Sequence, residues 1–445
     1  MREIHDTTTS TNAETMRSPR SDHWQLLSSV KDRPINPFRV AATEKAAALV
    51  SEMKRVLLNY EAHCAPRKRK RKATDLRTFE RQVEALICDL VHRELTCPQG
   101  AVTISLANTA LGSHDRYKPA AISKTIKDVL DLMKVPAIGW IEYTKGLWVP
   151  SDRSRCALTT IRAGEPLKLR IQEYGLTCAD FKLDNSREVI VLKDRKKCHD
   201  DPGAWLQYED TDQTSAYRAD LQRINERLAN ADIGFHLDGQ QVVDLTDRHL
   251  QRFFNNGSFE QGGRLFGGIW MTMTKADRRN IQIDGKPTVT LDFGQMNPRI
   301  LYGLADHDCV LTDAYCVPGL EHCRDGVKVV FNSMLHRTSP MTKIPRGAAD
   351  SFPCGTRIKD VVAGIRLEHH PIEKYFYTGI GMRLLYEESQ ILVKVLTKLN
   401  CLGIVALPIH DAVIVAAPYQ DVAMKVMLDV FQKSCGVAGI VRVEA

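Results

Sequence analysis

The chain has 445 residues, a net charge of +7, 43% hydrophobic and 26% charged residues, a length that predicts two or three compact units. No apolar run approaches the ~20 residues that a bilayer span needs, and the polar N-terminus lacks the apolar centre of a secretory signal. Membrane and secreted classes are thereby disfavoured. The twelve cysteines include no CxxC pair, so reduced thiols in a cytoplasmic protein are expected, with neither a zinc constellation nor a disulfide framework.

Residues 1–35 read as a disordered tail and 36–77 as a helix followed by a basic linker. The helix is marked by Ala46, Leu49, Met53, Val56 and Leu57; the linker carries six consecutive cations from Arg67 to Lys72. Such a run cannot be buried. It is either a solvated connector or a strip that contacts phosphates.

A block over 78–172 follows. Phe79, Val83, Leu86, Ile87 and Leu90 make one apolar helical stripe. TISLANTALG predicts a short helix, and Pro119 is placed to open the next. That helix buries Ile122, Ile126, Val129, Leu130 and Met133, leaving Ser123, Lys124 and Lys127 outward. Two strand candidates then flank a loop with Arg153 and Arg155. This pattern resembles winged helix-turn-helix domains, which implies a helix in the major groove of duplex DNA and the arginine loop as its wing. A helical domain that only packs on the rest is the alternative.

Residues 173–255 form a connecting, thumb-like region, with strand candidates at 187–194 and 240–245 and a helix at 216–233 burying Leu221, Ile224 and Leu228. The chemistry is concentrated in 256–445. Val289 to Leu291 form an apolar strand that delivers Asp292, and a helix starts at Pro298. Strands on either side of His410-Asp411 form a hairpin with a carboxylate at its tip, costly among apolar strands unless that charge is used. Two carboxylates on neighbouring strands can clamp two Mg²⁺ ions about 3.5–4 Å apart. Between them, Arg324, Lys328, Asn332 and His336 recur every four residues along one predicted helix face, suited to a triphosphate and a sugar. Gly326 interrupts that helix at ~1 kcal/mol. Upstream, glycines flank Arg264 in GGRLFGG and would let backbone approach a nucleic-acid strand.

In this order GGRLFGG, LDFGQMNPRIL, DAY with RDGVKVVFN, and PIHDAVIV resemble the sequence blocks of family A DNA polymerases, phage-type single-subunit RNA polymerases and minimal bacterial palms of this type. The resemblance covers the C-terminal half. It implies an α+β fold: a winged-helix-like domain followed by a right-hand palm and fingers with an antiparallel sheet. It further implies a two-metal nucleotidyltransferase using Mg²⁺, or Mn²⁺, in which Asp292 and Asp411 hold the metals and Phe293 lends a carbonyl. Arg324 and Lys328 would bind the triphosphate, Lys328 also serving as general acid; Arg264 and His410 would hold the primer-template. Three positions depart from the family pattern. The sugar-gating glutamate falls at Asn297, the stacking aromatic at Asn332, and the glutamate after the second aspartate at Ala412. A DNA polymerase with DNA and nucleoside triphosphates as partners is the favoured reading. A primase or RNA polymerase, with RNA as a further partner, and a DNA-binding regulator with an inert palm are the alternatives. Residues 337–380 read as loop.

Overall fold

Two groups of buried apolar side chains, Ala46 to Phe181 and Val189 to Val437, organise the molecule. The computed structural model describes residues 32–444 except 113–114, 148–155, 185, 199–200, 202, 238–239 and 242–245. Arg153, Arg155 and residues 1–31 therefore lie outside the described residues, as does most of the strand expected at 240–245. The fold is mixed α+β. No described helix is long and apolar enough to cross a membrane, and no disulfide joins the cysteines.

The first core is built on α1 (Glu44–His63) and α2 (Ala73–Thr96), whose expected stripe from Phe79 to Leu90 is buried. The short α3 (Asn108–Gly112), α4 (Ile126–Met133) and α5 (Glu165–Glu173) complete its helices. Its four-stranded sheet orders β1 (Arg33–Pro34), β3 (Val102–Ile104), β5 (Thr159–Ala163) and β4 (Ile141–Thr144). A small pair, β2 (Arg39–Ala41) with β6 (Phe181–Leu183), lies beside it.

Four boundaries differ from expectation. The second strand candidate of the 78–172 block, 156–171, is strand only over Thr159–Ala163 and goes on as α5. The tail stops short of 35, because Arg33 and Pro34 pair in parallel with Val102 and Thr103, and the Arg33 guanidinium grips the buried Asp89 at 2.8 Å. The helix expected over 103–112 begins as β3, since β-branched Val102, Thr103 and Ile104 complete a ladder with β5. Pro119 opens a turn, and α4 begins seven residues later.

The second core carries an all-antiparallel sheet in the order β14 (Ala406–Ile409), β15 (Ala412–Ala416), β13 (Lys286–Gly294), β12 (Ile281–Ile283), β8 (Ile233–Leu237), β9 (Gln240–Gln241), with β16 (Ile440–Val443) also on β13. A second sheet orders β11 (Ser258–Phe266), β10 (Gln251–Asn255) and β7 (Ile190–Leu192). Around them pack α6 (Asp212–Ala229), α7 (Lys275–Arg278), α8 (Met296–Leu304), α9 (Arg324–His336), α10 (Ile358–Glu368), α11 (Gly381–Cys401) and α12 (Gln420–Cys435). Thr211 caps α6 through its hydroxyl, which moves that helix four residues upstream of its expected start. Leu221, Ile224 and Leu228 are buried as expected. At the sheet edge, Pro408 has no N–H to offer, and its carbonyl accepts from the buried Trp270 Nε1 at 2.7 Å.

Residues 337–380 are not loop. They contain α10 and bury Phe352, Val361, Ile365 and Ile372. Buried His369 links this segment to α8 and to the turn before α9, its ring nitrogens lying 3.2 Å from the Tyr302 hydroxyl and 2.7 Å from the Ala314 carbonyl. The sequence hid this because no single stripe runs through it.

Candidate active site

At Asp292 the strand β13 is paired on both sides, with Ala412 of β15 opposite on one edge and Arg442 of β16 on the other. Period-two alternation sends Leu291 and Phe293 into the core and leaves half-buried Asp292 on the other face. Phe293 packs on the Phe431 ring at 5.6 Å between centroids. Asp292 thus sits inside a strand that runs on to Gly294, rather than at its end. Pairing on both edges leaves its carboxylate little room to drift.

Asp411 occupies the two-residue turn between β14 and β15. Exposed His410 closes that turn at φ 53°, a left-handed conformation that strains a residue with a side chain. The turn brings Asp411 beside β13, where the Phe293 N–H donates to the Asp411 carbonyl at 3.4 Å. The N–H and C=O of an extended residue point to the same edge, so the Phe293 carbonyl also faces the hairpin tip.

Burial, then the like charges of Asp411 and Glu444, push the Asp292 carboxyl up to about 7, against the pull of Lys328 and Lys275. Glu388 on α11 shares this field. Burial raises it to about 7, Arg264 opposes, and Asp411 and Asp292 add to the rise.

The Arg264 Nε and Nη2 donate to the Glu388 carboxylate at 2.8 and 3.1 Å. The guanidinium expected to grip nucleic acid is thus held by a carboxylate that is 3% exposed. The neighbouring glycines serve packing. Gly263 takes φ 82°, and a Cβ there would stand 2.7 Å from Ser389 Oγ. What approaches this backbone is α11, not an open surface.

The face expected on α9 forms. Gly326, Val327, Val330, Phe331, Met334 and Leu335 are buried, and Arg324, Lys328, Asn332 and His336 lie on the other side. Arg324 Nε donates to Asp313 at 2.5 Å. Burial opposes ionisation of Asp313, but hydrogen bonds from Arg324 and the Tyr315 N–H hold its carboxyl below the ordinary range. Lys328 is exposed, with Nζ 6.0 Å from the Tyr315 ring centroid and no carboxylate partner among the described residues. The Asn297 amide donates to Asn332 Oδ1 at 3.0 Å, while Asn297 Oδ1 is buried with no hydrogen-bond partner among the described residues. Burial and then Arg264 lower the pKa of His336. Asp292, Asp411, Lys328, Asn297, Asn332 and Arg264 thus share one neighbourhood. In the first core, Lys124 is exposed, and half-buried Lys127 donates to Asn108 Oδ1 at 2.9 Å.

Among the described residues no group of three or more His, Cys, Asp or Glu side chains is arranged to hold a metal ion. The oxygen donors that could hold Mg²⁺ or Mn²⁺ are Asp292, Asp411 and the Phe293 carbonyl. A carboxyl raised by burial and by its neighbours' like charge fits a place for a divalent cation.

Sequence reasoning missed Glu388 and Arg442, and met Asp313 only as the first residue of DAY, with no role given to it. Glu388 left one signal: it interrupts the apolar stripe of Leu384, Ile391, Leu392 and Val395.

No protein-family model matches the chain, and no curated protein matches it. Among solved structures, it is similar to the "POL domain of Pol1 from M. smegmatis complex with DNA primer-template and dNTP", with a TM-score of 0.31 and 11% identity over 52% of this chain. The match spans about half (51%) of that chain. So loose an overlap leaves function to be argued from the residues.

Proposed function

We propose that the chain is a template-directed nucleotidyltransferase, a DNA polymerase of family A type, with a palm in its C-terminal half. One observation carries this reading. Asp292 lies on β13 and Asp411 in the turn that leads into β15, the strand paired with β13, and Lys328 of α9 is in electrostatic reach of Asp292. Asp292 and Asp411 would hold Mg²⁺, or Mn²⁺, which supplies activation of an attacking 3′-hydroxyl and neutralises charge on the leaving pyrophosphate. Lys328 meets the triphosphate and delivers a proton to pyrophosphate. Arg324, already oriented by Asp313, adds a second cation. Asn297 and Asn332 lie where the sugar would rest. Arg264, braced by Glu388, and His410 at the hairpin tip flank the primer end.

The 78–172 block is read as a winged helix that binds duplex DNA. Its support is the order α2, β3, α3, α4, β4, β5 and the antiparallel β3–β5–β4 ladder. A second reading, a primase or RNA polymerase, is favoured by the unpaired Asn297 Oδ1, an acceptor suited to a 2′-hydroxyl.

Primer extension with Asp292→Asn and Asp411→Asn tests the main reading. Each should lower incorporation by orders of magnitude while thermal unfolding remains cooperative. Near wild-type extension by either variant refutes it.

A further inference from the structure

A second charged concavity lies away from the carboxylates. The turn between α1 and α2 and the segment 115–125 face each other across a cleft of ≈ 910 Å³. Two of the six cations in this turn are spent on fastening it. Arg67 and Arg71 bind Glu61 at 3.3 and 2.7 Å, and Arg71 covers the Phe79 ring at 4.2 Å. Arg69, Lys70 and Lys72 are exposed, line the cleft and have no carboxylate partner among the described residues. Its acids are already engaged, Asp75 accepting from the Lys72 N–H at 3.3 Å and Asp115 from the Tyr117 N–H at 3.0 Å. Thr78, Ser123, Thr125 and Gln207 add hydroxyl and amide groups to the walls.

We infer that this cleft binds the phosphodiester backbone of a nucleic-acid strand, at a site separate from the Asp292–Asp411 centre. Three unpaired cations strung along a turn fastened by ion pairs suit a repeating anion. A flat anionic bilayer cannot enter a recess, and the walls offer no large exposed apolar side chain for insertion. Base identity has no evident reader here, so the contact is of the positioning kind.

The inference does not rest on polymerase activity and is tested in the full chain carrying Asp292→Asn and Asp411→Asn. Fluorescence anisotropy would follow a labelled single-stranded oligonucleotide and the matching duplex over a series of KCl concentrations. R69Q/K70Q/K72Q should lower the slope of log K against log salt by about 2–3, from ~0.7 per phosphate on single strands and ~0.9 on duplex. R69K/K70R/K72R, which keeps the charge, should retain the wild-type slope. A triple glutamine variant with the wild-type slope overturns the inference, as does an equal loss in the charge-preserving variant. Vesicles of phosphatidylserine that bind through these residues when the oligonucleotides do not would overturn it too. Primer extension by the chain with both aspartates intact is measured separately, so an inert palm and an inert cleft give different results.

Discussion

At the residue scale the decisive feature is a carboxyl held half-ionised near neutrality. An unfolded aspartate ionises near 3.9, whereas folded Asp292 does so at about 7. Between those values the folded chain keeps a proton that the unfolded chain has released, so this group destabilises the fold progressively as pH rises through that window. Relative to Asp292→Asn, the metal-free wild type should therefore lose stability from about pH 4 to about 7 and hold level above it. The lowered pKa values of His249 and His369 act alike in both proteins and cancel in the comparison. Paired thermal melts check this, and a gap that stays constant across the window counts against the placement of Asp292. Sugar choice belongs to the same scale. On the proposed reading, Asn297 would present its Oδ1, which has no hydrogen-bond partner among the described residues, at the place of a gating carboxylate. One hydrogen bond to a 2′-hydroxyl nets roughly 0.5–1.5 kcal/mol, which would shift selectivity toward ribonucleotides by up to about tenfold. Ribonucleotide incorporation should be measurable, and Asn297→Glu should restore deoxynucleotide preference. Competition kinetics on one template decide it: wild-type selectivity above about a thousandfold (~4 kcal/mol) would assign the gate to another residue.

At the element scale, α9 shows what periodicity reveals and what it hides. Its four-residue repeat placed Arg324, Lys328, Asn332 and His336 on one face, and the helix forms over those residues. The same pattern made Gly326 look like a weak point. Its cause is packing: a Cβ there would lie 2.6 Å from the Phe352 ring, on a segment that looked like loop. Gly326→Ala therefore sets a propensity gain of ~1 kcal/mol against overpacking of about 1–3 kcal/mol. The buried Phe352 has little room to yield, so the variant should be less stable. Chemical denaturation checks the sign, and a stabilised variant would show that the ring moves aside. The hairpin around Asp411 and the strand carrying Asp292 were legible because runs of apolar residues end at a charge. The Arg264–Glu388 pair was not, since its partners lie 124 residues apart and only tertiary packing joins them. Strand β3 was missed because three residues are too few to show a period.

At the scale of the whole molecule, two apolar cores meet through polar contacts. Arg116 binds Asp210 at 3.0 Å, the Tyr117 hydroxyl donates to the Leu206 carbonyl at 2.8 Å, and His92 lies 3.0 Å from Thr246 Oγ1. The first core also draws on Leu49, Met53 and Leu57 of α1, which lie outside 78–172. A fragment of 78–172 should therefore melt without cooperativity, whereas 32–184 should unfold cooperatively; circular dichroism on both checks this, and a cooperative shorter fragment would show that α1 is dispensable. Closer to the candidate site, Trp270 and Pro408 have a consequence for solubility. An outermost strand bares a row of donors and acceptors that another chain can adopt as a template. Here proline deletes one donor and the indole claims the acceptor beside it. The hairpin that presents Asp411 to solvent is thereby a poor seed for intermolecular sheet growth, and the chain can display this carboxylate at a sheet margin without inviting aggregation there.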